Sequence, residues 1–246
     1  MKRVRAVTEA EVISEFLKNE FYHEEFHRDR EQFERLVLFA DITCEEENAL
    51  RRALLFRRRG HMWRELPADT QWWEMQLEPH DLCKLRVFPR AHWRKVSQGS
   101  FALSDIVHRI RTRKFSGRIA DFIAKIHVLS YQLRHRTDLT SVILIAEDEN
   151  SAVTIIEGNH RLTAAMLSNS EKLHERFRVF VGMSPHMNEV CWYNGSVSNL
   201  WRYAKNRLKH LWRDKDADLR HLPVPAPVVP QASYAEAVGK VVSESK

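Results

Sequence analysis

The sequence predicts an α+β domain: a small mixed β-sheet with packed helices. Three observations carry this. Two runs rich in β-branched residues, Val142 to Ile145 and Val153 to Ile156, flank the polar segment Glu147, Asp148, Glu149, Asn150, a pattern that predicts a β-hairpin. Directly after it, Leu162, Ala165 and Met166 recur at helical spacing, which places a helix start near Asn159. Only 7 glycines occur in 246 residues, which argues against a glycine-rich β protein and for substantial helix.

The junction between hairpin and helix reads Glu157, Gly158, Asn159, His160, Arg161. A strand, a glycine turn and a helix start aim backbone N–H groups and the positive end of the helix dipole at whatever lies above the turn, an arrangement suited to a phosphate. Gly158 lets the backbone approach closely, and Arg161 can grip phosphate oxygens as a fork. The plainer alternative is a turn whose His and Arg are solvated. Two potential cations at a helix N-terminus are disfavoured by the dipole, however, and call for an anion or a carboxylate, which Glu157 can supply.

These residues, followed by Leu162, Thr163, Ala164 and Ala165, resemble the core motif of the ParB/sulfiredoxin-like superfamily, in an Asp-Gly-x-His-Arg variant with Glu157 in place of Asp. The resemblance is clear over residues 141–168 and looser over 72–182. It implies a nucleotide-binding turn formed by Gly158, Asn159, His160, Arg161 and Thr163. Sulfiredoxins carry a cysteine immediately before the His-Arg pair. This chain has Asn159 there, which argues against that chemistry. The His-Arg pair is closer to the members that phosphorylate free serine than to the DNA-partition members. By loose resemblance to the serine kinases, Glu78 and Asp81 join Glu157 and His160 as candidate catalytic residues. The alternative for Asp81 is a turn cap, and for Glu78 a solvated side chain.

Composition bounds the partners. The formal net charge of +6 favours an anionic one without choosing between nucleotide, nucleic acid and acidic protein. Cys44, Cys83 and Cys191 are sparse and far apart, as expected of reduced thiols in a cytoplasmic protein. No His/Asp/Glu cluster has transition-metal spacing, so the expected ion is Mg²⁺ carried by nucleotide phosphates. No apolar run approaches the ~20 residues that cross a bilayer, and no membrane partner is expected.

In chain order, Thr8 and Glu11 fit a capping box ahead of a helix bearing Val12, Phe16, Leu17 and Phe21 and reaching toward His27. Helical spacing continues over 31–39. Thr43 and Glu46 signal another start, with a helix ending near Gly60. Its Arg51, Arg52, Arg57, Arg58 and Arg59 are either nucleic-acid contacts or last-turn cations packed over Phe56. Residues 1–65 thus read as a helical extension ahead of a core spanning 66–214.

Within that core, 72–77 and 84–88 read as extended, and 78–82 as a turn. Helices start near Ser104 or Asp105 and near Ser116, the second with a wide apolar stripe that predicts burial against the sheet. Residues 177–182 alternate as a strand. Trp192 and Tyr193 could stack on a base, or simply pack. Ser196 or Ser198 then caps a helix with Leu200, Ala204, Leu208 and Leu211 on one face. Arg202, Lys205, Asn206, Lys209 and Arg213 lie on another, a second candidate surface for an anionic partner. Residues 215–246 read as a largely disordered proline-rich tail. The expected function is transfer of phosphate from ATP or a related nucleotide to a small-molecule hydroxyl. The alternatives are a ParB-like nucleic-acid-binding or nuclease module and a nucleotide-gated interaction protein.

Overall fold

The strand read from Val142 to Ile145 is the centre of the molecule. In the computed structural model, which describes residues 1–88, 91–135, 140–168 and 177–212, it becomes β4 (Thr140–Ala146), buried along nearly its whole length. Its side chains alternate between two layers, as a strand's must. Val142, Leu144 and Ala146 join one hydrophobic cluster, whereas Ile143 and Ile145 join the other. A strand buried on both faces explains the unbroken apolar run.

Six strands form one mixed sheet. They are β1 (Lys2–Val7), β2 (Gln71–Gln76), β3 (Leu85–Val87), β4, β5 (Val153–Glu157) and β6 (Phe177–Met183), in the order β1-β2-β6-β4-β5-β3. The predicted hairpin is present, since β4 and β5 pair antiparallel with Ile143 opposite Glu157. β6 lies parallel to β4, and β3 parallel to β5. The α+β class therefore holds, with helices on both faces of the sheet.

One face carries α1 (Glu9–Glu20), α2 (Arg30–Leu38) and α3 (Glu45–Trp63). Phe16, Leu17, Leu54 and Trp63 are buried there in one cluster with Ile143, Ile145 and Phe180. Residues 1–65, read from sequence as an extension, thus supply one layer of the fold and an edge strand. β1 is not expected from the sequence because Lys2 to Ala6 are exposed and mostly basic, so no apolar alternation marks it. α1 stops at Glu20 instead of reaching His27, and the chain then turns through a short 3₁₀ segment, Glu24–Asp29. Thr8 caps α1 as predicted, its hydroxyl accepting from the Glu11 amide.

The opposite face carries α4 (Ala91–Ser97), α5 (Leu103–Thr112), α6 (Gly117–His135) and α7 (Asn159–Ser168). Trp93, Ile106, Ile110 and Ile126 are buried there with Val142 and Leu144. α7 begins at Asn159, where the sequence places it. A last helix, α8 (Val197–Trp212), follows a turn at 191–193. No helix among the described residues is long and apolar enough to cross a membrane.

Candidate functional site

The C-terminal end of α1, the last residue of β5 and the first turn of α7 converge on a cavity of about 670 Å³. Its walls include Phe16, Trp93, Phe122 and Leu129, and its polar lining includes Glu20, Glu157, Asn159, His160, Arg161, Arg59 and Lys125. Glu157, Gly158, Asn159, His160 and Arg161, singled out in the sequence, are therefore together at one cavity. Asn19, Glu20, Arg59 and Lys125 arrive from elements far away in sequence.

The turn requires its glycine. Gly158 has φ +96°, and a Cβ there would stand 2.6 Å from Val142 Cγ1. Both backbone geometry and packing against β4 exclude a side chain. Leu162 N–H donates to the Gly158 carbonyl at 2.9 Å, closing the first turn of α7 and leaving the preceding amides without intrahelical acceptors.

Arg161 is held by three groups from three elements. Its guanidinium donates to Asn19 Oδ1 and to Thr140 Oγ1, each at 2.6 Å, and forms an ion pair with Glu157 one turn back. Asn19 Nδ2 in turn donates to Ser141 Oγ at 2.9 Å and to Glu157 Oε2 at 3.3 Å. Arg161 therefore ties α1, β4 and α7 together. Three of its five N–H donors are thereby engaged within the fold.

Glu157 is the electrostatically unusual member. Its side chain is 11 % exposed. Burial pushes its pKa up to about 7, Arg161 pulls it down, and a hydrogen-bonding contact with the carboxyl of Glu20 pushes it up again. Arg59 donates to Glu20 at 3.1 Å, giving the pair a second cation. His160 is open to the cavity and packs edge-on against Phe122 and tilted against Trp93, with centroids 5.1 and 5.3 Å away. Desolvation lowers its pKa below the ordinary imidazole value, the nearby Glu20 carboxylate opposing. Asn159 reaches Ile155 O through Nδ2 at 3.4 Å, while its buried Oδ1 has no partner among the described residues. Thr163 is fully buried, and its hydroxyl donates to the Asn159 carbonyl at 2.7 Å, steadying the turn from behind.

Glu78 and Asp81 are not brought to this cavity. They sit at a 3₁₀ turn, Pro79–Lys84, between β2 and β3. Asp81 is buried and accepts from the Met1 amine at 2.8 Å, from the Glu78 amide at 3.0 Å and from Lys84 Nζ at 3.1 Å. Burial alone would raise its pKa, but these donors together hold it below the usual carboxylate value. Glu78 is half exposed. Glu78, His80 and Asp81 place their ligand atoms within 4.8 Å of one another, a grouping the sequence reading did not pick out. Asp81 already serves three donors within the chain.

The arginine cluster of α3 is largely paired within the chain. Arg51 is completely buried and donates to the carbonyls of Leu36 and Asp41 and to the side chains of Glu47 and Asn48. Arg57 and Arg58 both pair with Asp29, and Arg52 with Glu9. Trp192 is buried with Phe88 and Tyr203 against its ring, and the Tyr193 hydroxyl donates to Ala152 O. The helical turn expected over 171–176 and the tail at 215–246 lie outside the described residues.

No protein-family model, curated protein or solved structure matches this chain.

Proposed function

We propose that the cavity is the active site of a phosphotransferase that takes ATP or a related nucleotide and a small-molecule hydroxyl as its substrates. The observation that carries this reading is a carboxyl group with a pKa of about 7, Glu157, placed beside the start of a helix at the wall of a cavity of substrate size. A base poised near working pH is what removal of a hydroxyl proton needs. The start of α7, whose first amides have no acceptor within the helix, suits a phosphate. Mg²⁺ would enter on the nucleotide phosphates and neutralise their charge.

In this reading ionised Glu157 accepts the acceptor's proton as its oxygen bonds to the terminal phosphorus and the bond to the nucleoside diphosphate breaks. Arg161 and Glu20 set the basicity of Glu157 in opposite directions. Neutral His160 donates one hydrogen bond to a phosphate oxygen. Glu20 enters this account from the structure. Glu78 and Asp81 have no part in it, because they lie at a different place in the fold. The arginine cluster on α3 gives the nucleic-acid reading no added support, since its charge is engaged by Asp29, Glu9 and Glu47.

The test is a thermal-shift screen of the full chain against ATP, ADP, CTP and GTP with Mg²⁺. A nucleotide present at about 100 times its Kd stabilises by about 2.7 kcal/mol. One of the four should raise Tm by several degrees, and the shift should shrink in an Asn159→Leu variant. No shift with any nucleotide overturns the reading.

A further inference from the structure

The C-terminal helix α8 is mounted in an unusual way. At about 100° per residue, Val197, Leu200, Trp201, Ala204 and Leu208 fall within about 100° of arc. The side that meets the body of the protein lies opposite, and it is made of Asn199, Tyr203 and Asn206. Asn199 Nδ2 donates to the carbonyls of Asn188 and Asn194 at 2.8 and 2.9 Å. Asn206 Nδ2 donates to Glu65 Oε1 at 3.0 Å, and the Tyr203 ring lies 5.0 Å from that of Trp192. The helix is thus fastened by its polar side, and its apolar stripe faces away. Val197 is 84 % exposed, Trp201 74 %, Leu208 63 % and Leu200 51 %.

We propose that this stripe docks on the surface of an anionic lipid bilayer, with α8 lying in the plane of the headgroups. Charge selects this occupant. The sequence of α8 contains Arg202, Lys205, Arg207 and Lys209 and no carboxylate, Arg202 being paired with Glu189 from outside the helix. Lys205 and Arg207 are exposed and flank the stripe on its two sides, where they would meet lipid phosphates while Trp201, Leu200 and Leu208 enter the acyl boundary. A second copy of α8 would bring four more cations and no counter-charge. A nucleic acid would satisfy the cations but leave the leucines and Trp201 in water. Lying on a bilayer is a different requirement from crossing one, and α8 meets only the first. The proposal departs from the sequence expectation of no membrane partner and is independent of the cavity's function.

The test is co-sedimentation of the full chain with vesicles made of equal parts phosphatidylcholine and phosphatidylglycerol, and with vesicles of phosphatidylcholine alone. The expected result is binding to the first and little to the second. Binding should fall roughly tenfold or more when Leu200→Asp and Leu208→Asp are combined, and comparably for Lys205→Glu with Arg207→Glu. All four positions are exposed, and an unchanged Tm and circular dichroism spectrum will show that the fold is kept. The proposal is overturned if anionic vesicles do not sediment the protein, or if the Leu200→Asp, Leu208→Asp variant binds them as the parent does. It is equally overturned if the parent is a dimer that this variant dissociates while vesicles bind neither, or if only duplex DNA is bound, sensitive to the charge reversals alone.

Discussion

Glu157 and Asp81 are both acidic residues withdrawn from water with a cation alongside, yet they are shifted in opposite directions. Asp81 is completely buried, and three donors converge on its two oxygens. Glu157 has Arg161 and Asn19 as donors but also shares its surroundings with the Glu20 carboxyl. Burial raises both groups and is the largest influence on each; at Asp81 the converging donors outweigh it, whereas at Glu157 Arg161 does not, and the Glu20 carboxyl adds to the rise.

The comparison breaks most severely at Arg161. Arg161→Ala removes the cation from Glu157 and unties α1, β4 and α7, and should cost about 3 kcal/mol, since breaking a buried pair strands the remaining charge. Urea denaturation checks this loss of stability. Arg161→Lys should recover only part, because one ammonium cannot span Asn19, Thr140 and Glu157 as the guanidinium does.

The next effect is in pH dependence, and its sign differs at the two carboxylates. Glu157 has a folded pKa near 7 against 4.5 for the ordinary group, so the folded state binds the extra proton between these values. Stability from this group is complete below about pH 4.5 and is lost as pH rises through 7, by about 1–3 kcal/mol. Glu157→Gln should flatten that decline in denaturation measured from pH 4.5 to 8. Asp81 has its pKa lowered from 3.8, so its contribution is present at neutral pH and is lost only as pH falls below about 3.8. Asp81→Asn should remove that acid limb and leave the limb between pH 4.5 and 7 untouched.

Much of this contrast was legible in the sequence, but not all. Glu157 to Arg161 could be read because strand, turn and helix are consecutive, and Gly158 marks the turn by its own chemistry. The capping alternative for Asp81 was likewise local. Glu20 and Asn19 were not legible as site residues, because they lie more than a hundred positions away on a helix read as an extension. Only the packing of α1 against β4 brings them in. β1 was missed because a short exposed edge strand carries little apolar pattern. On α8 the reading named Leu200, Ala204 and Leu208 on the apolar face but not Val197 and Trp201, and it set Asn206 with the cations, because sequence alone does not say that asparagines and a tyrosine face the body.

A smaller effect separates His160 from the pair. It has no side-chain hydrogen bond among the described residues and packs against the Trp93 and Phe122 rings, so His160→Ala should change stability by less than about 1 kcal/mol. In the phosphotransferase reading it should lower kcat more than it raises KM for the nucleotide, because its contact strengthens as charge develops. Steady-state kinetics would check the split, and a change confined to KM would make it a binding contact only.

The central claim is that the carboxyl of Glu157 carries its proton near neutral pH. Carbon-13 NMR of the glutamate side-chain carboxyls, titrated from pH 3 to 9 in the parent chain and in Glu157→Gln, measures this directly. The account predicts one resonance with an apparent midpoint near 7, absent from the variant and moved downward in Glu20→Gln. A Glu157 resonance titrating near 4.5 would contradict it.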